Sequence, residues 1–230
     1  MKTIVITGAS KGIGFETALS LLNQGCYVVA IARSSEELEQ LRSQSSSKNL
    51  LLITADITSK EELEKISSEV AKLEKIDGLI NNAGMVLNRS FLETSQEDWR
   101  SIFDVNFFAP VQLIRILKPL LRKGSHIVNI GSMGGFQGSE KFPGLSAYST
   151  SKGALAILSE CLNAEFSNEG IAVNCLCLGA VQTKMLEEAF PGYEAPVSPK
   201  EMGSYISYFV LKSHNFMNGK IIPVSLNNPD

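Results

Sequence analysis

The chain has 230 residues, of which 44% are hydrophobic, with 21 basic and 24 acidic side chains and a formal charge of −3. A chain of this size buries about 70% of the surface it exposes when unfolded, so its core needs no disulfide or metal. Its charge balance supplies no positive field for nucleic acid or an anionic membrane. Cys26, Cys161, Cys175 and Cys177, with His126 and His214, lack the paired spacings of a zinc site, and no metal is expected. No apolar run approaches the ~18 residues of a membrane span, and no basic, apolar and small-residue series precedes Thr3. A cytoplasmic protein is expected, with neither nucleic acid nor membrane as partner.

Short β-branched runs alternate with longer stretches of helical period, the pattern of βαβ units. In chain order, strands are predicted at Thr3–Thr7, Tyr27–Ala32, Leu50–Ala55, Gly78–Asn81, Ser125–Ile130, Ile171–Leu176 and Lys220–Ser225, and helices at 13–24, 35–44, 59–73, 96–121, 147–167 and 199–211. Thr58, Ser59, Glu61 and Glu62 offer two overlapping capping boxes for the third helix. The polar run Ser43–Lys48 is too short to separate domains. The expected architecture is α/β: one domain over 1–230, a doubly wound parallel seven-stranded sheet with helices on both faces. In such a sheet ligands lie beyond the carboxyl ends of the strands.

The first strand runs into Gly8-Ala9-Ser10-Lys11-Gly12-Ile13-Gly14 and then a helix. Glycine permits a sharp turn and close approach of a pyrophosphate, and the helix N-terminus offers unpaired N–H groups. The second strand ends Ala32-Arg33, without the carboxylate that would bind ribose hydroxyls, so Arg33 and Lys11 suit the 2′-phosphate of NADP. Asp56, after the third strand, is placed either for an adenine amino group or to cap the next helix. Cys175 and Cys177 lie two apart in an apolar run, so they share one strand face as small buried hydrophobes.

Further motifs follow the fourth and fifth strands: Asn81-Asn82-Ala83-Gly84, then Ser132, then Tyr148-Ser149-Thr150-Ser151-Lys152. Together with the glycine turn, and in this order, they resemble the short-chain dehydrogenase/reductase family from Lys2 to about Ser225. The resemblance implies a Rossmann fold, a catalytic tetrad of Asn106, Ser132, Tyr148 and Lys152, and a cofactor cradle at Gly8, Ser10, Lys11, Gly12, Ile13 and Gly14. It also implies cofactor contacts from Arg33, Asp56 with Ile57, Asn82, Ala83 and Gly84, from Tyr148 and Lys152, and from Gly179, Val181 and Thr183 near the nicotinamide. It further implies a homodimer or homotetramer pairing helices 96–121 and 147–167.

The function expected is an NADP-dependent oxidoreductase acting on a carbonyl or secondary alcohol; the alternative is a catalytically silent NADP-binding sensor or scaffold. Tyr148 would donate the proton, its phenolate stabilised by Lys152 one turn along the helix. Ser132 would hold the substrate oxygen. Met133, Phe136, Phe142, Met185, Leu186, Phe190, Pro191 and Tyr193 could line an apolar substrate pocket. Three departures from the family pattern stand out: Leu178 before Gly179 where proline is usual, a 16-residue gap from Ser132 to Tyr148, and a last strand without a glycine-rich end. The first predicts a looser loop and the second a bulge over Gly135 to Pro143. Pro110, lacking an N–H, should leave the Asn106 carbonyl free and kink helix 96–121. The family's residue at that position holds a water through its main chain, so the kink is expected to serve a proton path, with the Asn106 side chain stabilising the kinked helix.

Overall fold

The computed structural model describes residues 1–45 and 47–226, so Ser46 of the polar loop lies outside the described residues. Its strands are β1 (Thr3–Thr7), β2 (Tyr27–Ala32), β3 (Leu50–Thr54), β4 (Ile76–Asn81), β5 (Leu121–Ser132), β6 (Ala172–Leu178) and β7 (Ile221–Val224). The helices are α1 (Gly12–Asn23), α2 (Ser35–Gln44), α3 (Lys60–Val70), α4 (Gln96–Phe103), α5 (Ala109–Leu117), α6 (Ser146–Phe166), α7 (Lys184–Ala189) and α8 (Pro199–Lys212). All seven strands are parallel in one sheet, ordered β3-β2-β1-β4-β5-β6-β7, so the chain reverses direction across the sheet between β1 and β4. The glycine turn sits at that reversal.

Alternate residues of each strand feed opposite faces, as the two-residue period of a strand requires. Ile4 and Ile6 of β1 join Leu21, Leu41, Ile206 and Phe209 on one side, under α1, α2 and α8. Val5 joins Ile66, Leu113 and Leu117 on the other, under α3 and α5. No helix among the described residues is long and apolar enough to cross a membrane.

Two helical expectations are corrected. The stretch 96–121 is not one helix: α4 gives way to a π turn over Asp104–Phe108, where the Ala109 N–H reaches the Asp104 carbonyl, then to α5 and a short 3-10 turn, with Leu121 already in β5. The break falls where Pro110 cannot supply an N–H, and π turns of this kind recur at functional sites. The capping boxes of α3 also resolve differently. Ser59 caps α3 by accepting the Glu62 N–H, but the Glu62 carboxylate turns back to the Asp56 N–H, and the Thr58 hydroxyl goes to Asp56. Asp56 therefore closes the turn before the cap and is not the cap itself.

Candidate active site

The ends of β1, β4 and β5 bring the predicted site residues together, and hydrogen bonds fix how they meet. Thr7, the last residue of β1, is buried and its Oγ1 accepts the N–H groups of Asn82 and Ala83, both at 3.1 Å. In return Asn82 Nδ2 donates to the carbonyls of Thr7 (2.9 Å) and Gly8 (3.2 Å). The glycine turn and the turn after β4 are thus one unit. Gly8 adopts φ +66°, and a Cβ there would lie 2.9 Å from Ala83 Cα; a Cβ on Gly14 would overlap the Gly8 carbonyl and the Asn82 amide. Only glycine fits either place.

Helices α2, α3, α4, α7 and α8 each begin with a Ser or Thr hydroxyl accepting a main-chain N–H. Helices α5 and α6 lack a side-chain cap, and so does α1, which starts at Gly12 inside the glycine turn. Its first-turn N–H groups and dipole end therefore face the glycine turn, as a phosphate-binding helix requires. Lys11 and Arg33 are both exposed. Asp56 titrates below its usual value: burial pushes it up, but the Thr58 N–H, the Thr58 hydroxyl and the Arg33 charge outweigh this. Ile57 buries its side chain in the core, leaving only its main chain to meet a cofactor. Across the mouth, the Thr183 side chain packs 3.5 Å from where a Gly12 Cβ would stand, while its hydroxyl caps α7 through the Leu186 N–H. Val181 is buried and bridges Val197.

Asn106 lies in the π turn, fully buried, and its side chain is used up by three partners. Oδ1 accepts the Met85 N–H (2.8 Å), and Nδ2 donates to the Met85 carbonyl (2.9 Å) and to Ser151 Oγ (3.0 Å). The side chain makes these bonds outside its own helix, and it steadies the kinked stretch by tying the π turn to the loop after β4 and to α6. Lys152 is also buried; its Nζ donates to the Ile130 carbonyl at 2.8 Å. A Cβ on Gly84 would lie 3.4 Å from both Lys152 Nζ and Asn106 Oδ1, so this glycine marks where the two converge. Ser132, at the end of β5, accepts the Gly134 N–H through Oγ at 3.2 Å.

The charge state of the pair departs from expectation. Burial raises the Tyr148 phenol above its usual range; the Ser132 hydroxyl offsets part of this, and Cys177 adds to it. Burial also lowers Lys152 to about 8, against the opposing pull of Cys175 and Cys177. Burial outweighs the lowering influences on the phenol, and the Lys152 ammonium donates to the Ile130 carbonyl.

Around this centre, the long gap before Tyr148 does bulge, and it is closed on itself. Ser139 Oγ donates to the Met133 and Phe136 carbonyls, Lys141 Nζ to the Phe136 carbonyl, and the Gly144 carbonyl accepts the Arg89 N–H. The loop after β6 is not loose despite Leu178. That residue extends β6, the Gly179 N–H reaches the Val224 carbonyl, and the Gln182 N–H reaches the Val197 carbonyl. The predicted apolar lining divides: Met133 is core, packed with Ala156 and the two cysteines, while Phe142, Met185 and Tyr193 are exposed.

Comparison with known proteins agrees with this geometry. The family model described as short chain dehydrogenase matches residues 2–194. The chain belongs to this oxidoreductase family. Among short-chain dehydrogenases, an NADPH-dependent pterin aldehyde reductase from Arabidopsis thaliana is 36% identical over 204 residues, covering 85% of this chain and 83% of its own length. A meso-2,3-butanediol dehydrogenase from Serratia marcescens is 29% identical over 235 residues, covering 97% of this chain and 92% of its own. The crystal structure of a dehydrogenase/reductase from Sinorhizobium meliloti matches with a TM-score of 0.87 at 28% identity, over 97% of this chain and 93% of that one. Short-chain dehydrogenases use a nicotinamide cofactor, and the uncapped α1, the glycine-only contacts and the exposed Lys11 and Arg33 fit such a group. Sequence reasoning passed over the Thr7 hydroxyl and Ser151. Thr7 was detectable as the hydroxyl residue joining β1 to the glycine turn; the Ser151 contact depends on how α6 crosses the π turn.

Proposed function

We propose that the chain is an NADPH-dependent reductase of carbonyl compounds, with Tyr148 as proton donor, Ser132 holding the substrate oxygen and Lys152 supporting the phenolate left behind. The observation that supports this reading most is the meeting of Lys152 and Asn106 at Gly84, beside the Ser132 hydroxyl that faces the Tyr148 phenol. When bound, the nicotinamide supplies the hydride; the chain's own residues hold and move the proton. Tyr148, its phenol raised, is protonated at neutral pH and ready to donate. Lys11 and Arg33 would hold the 2′-phosphate; each charge-assisted contact contributes about 1.5–3 kcal/mol, or at least about tenfold in preference. Gly8 to Gly14 and Asn82 to Gly84 would cradle the dinucleotide, Asp56 and Ile57 would meet the adenine end, and Gly179, Val181 and Thr183 the nicotinamide end.

The test follows NADPH absorbance across a panel of aldehydes and ketones. Reduction lost in Tyr148→Phe, and a preference for NADPH over NADH that falls at least about tenfold in Arg33→Ala, support the reading. Equal use of the two cofactors by the unaltered enzyme refutes the NADP assignment, and full activity of Tyr148→Phe refutes the proton donor. Because Lys152 titrates at about 8, kcat/KM for reduction should fall as pH rises through that value and the ammonium is lost.

A further inference from the structure

Behind the proposed proton donor lies a pair of thiols for which the reaction so far has no use. Cys175 and Cys177 face the same side of β6 and have no exposed surface. They pack with Met133 and Ala156, with Phe136 and Ile221 against them. Cys177 is in register with Gly131 of β5, the residue before Ser132. A Cβ on Gly131 would stand 2.8 Å from Cys175 Sγ and 3.0 Å from Cys177 Sγ, so the missing side chain lets both sulfurs lie directly against the β5 main chain where it enters the site.

We propose that Cys177 is a positioning residue of the oxidoreductase site, its sulfur bracing the Ser132 main chain from behind and adding a third ionisable group to Tyr148 and Lys152. The second half of this statement rests on the reading of Tyr148 and Lys152 given above. The groups facing Cys177 are few. On its own strand, Cys175 donates its S–H; from β5 comes the Ser132 N–H; from α6 the Lys152 ammonium and the Tyr148 phenol; from the loop after β5 the Lys141 ammonium. Nothing ionisable faces it from β7, whose residues are Ile221, Ile222, Pro223 and Val224. The Cys175 thiol, the Ser132 N–H and the two ammonium groups together favour a thiolate at Cys177 and outweigh its burial. Cys175, donating to its neighbour, is pushed the other way. When the pair releases one proton, the negative charge rests on Cys177 and the remaining proton on Cys175.

That charge acts on both proposed catalytic groups in one direction. A thiolate beside Tyr148 disfavours the phenolate and beside Lys152 favours the ammonium, so both groups hold their protons to higher pH. A unit charge about 6 Å away at an effective dielectric of about 20 moves a neighbour by about two pKa units. Cys177→Ser keeps a small acceptor for the Ser132 N–H and removes the ionisation.

The test is a pair of absorbance titrations that need no turnover, followed by a pH profile. In the unaltered protein a thiol should titrate below the ordinary value of 9.0. That transition should vanish in Cys177→Ser and move to higher pH in Cys175→Ala. The tyrosinate transition lost in Tyr148→Phe should move to lower pH by at least about one unit in Cys177→Ser. The alkaline limb of kcat/KM should move the same way, with the KM for NADPH unchanged. Cys177→Ala, equally small, gives the same shifts should the serine hydroxyl disturb the apolar cluster. Thiol and tyrosine titrations that superimpose on the unaltered protein in both variants overturn the proposal. Shifted titrations in a protein that reduces no carbonyl would instead overturn the proposed function and leave the thiol's role standing.

Discussion

Thr7→Val tests whether the two turns at the sheet's reversal work as one unit. The substitution keeps the branched shape and exchanges the hydroxyl for a methyl, so its main effect is to remove an acceptor. That oxygen takes two main-chain N–H groups, Asn82 and Ala83, at 3.1 Å each. Without the hydroxyl the Asn82 N–H keeps the Ile80 carbonyl at 3.1 Å, while the Ala83 N–H loses its partner. Leaving a buried N–H unpaired costs about 1–3 kcal/mol, and Ala83 is half-buried, so the low end applies: about 1 kcal/mol. For a chain of this length that lowers Tm by about 2–4 °C. The bonds from Asn82 Nδ2 to the carbonyls of Thr7 and Gly8 remain available, so the fold should survive while the cradle loosens. NADPH affinity, followed by nicotinamide fluorescence, should drop by up to about fivefold in Thr7→Val and recover in Thr7→Ser, which restores the oxygen. A folded Thr7→Val protein with unchanged Tm and unchanged NADPH affinity would refute the reasoning.

Three further outcomes are expected. His126 is buried and held neutral, its Nδ1 facing the Val210 carbonyl and its Nε2 facing the Asn174 amide, and it titrates at about 3; because the unfolded chain takes up this proton first, stability should fall by about 2 kcal/mol between pH 6.5 and 5, measured by denaturant unfolding, and less steeply in His126→Asn. Pro110→Ala supplies one N–H worth about 1 kcal/mol against the three hydrogen bonds of the Asn106 side chain, so the π turn should persist, and a crystal structure of the variant showing a continuous α-helix over 96–117 would refute this. Phe91, Trp99, Phe103, Phe107 and Phe108 form a chain of ring contacts along α4 and the π turn, with Phe108 and Ile157 of α6 exposed; light scattering should therefore give a homo-oligomer that Phe108→Asp weakens, and a monomer at micromolar concentration would count against it.

Most of the sheet was legible because the strands are compact apolar runs, β-branched above all in β1, β2 and β7, bounded by turn residues. The strand predictions erred only at their ends, as with β5, which begins at Leu121 and passes an irregularity in its pairing with β4 before His126. What escaped was set by contacts distant in sequence. The stretch 96–121 keeps a helical period throughout, and the π turn within it is held by Asn106 reaching Met85, 21 residues away, and Ser151, 45 residues away. Helix α7 was missed because six residues are too few for a period to show; the Thr183 cap was its one local sign. The alternation of β6 placed both cysteines on one face correctly, but what they face depends on Gly131 of the neighbouring strand.

The electrostatics of the site were the least legible part, and they bear directly on the proposed chemistry. Proximity on one helix face suggested that Lys152 would simply lower the Tyr148 phenol, yet burial penalises every charged form, and it drives the two groups apart: the phenol upward and the ammonium down to about 8. Each group alone is costly to charge there, whereas phenolate and ammonium together are neutral overall and attract one another in the same low-dielectric surroundings. At rest, then, Tyr148 keeps its proton and Lys152 leans on the Ile130 carbonyl. In the proposed reduction, the proton leaves Tyr148 as negative charge develops on the substrate oxygen, and the phenolate that results gives the ammonium a stronger partner than a carbonyl. The penalty that raises the phenol is thus relieved at the step where the proton is given up, so a donor that looks too weak at rest becomes competent when the substrate oxygen takes on charge.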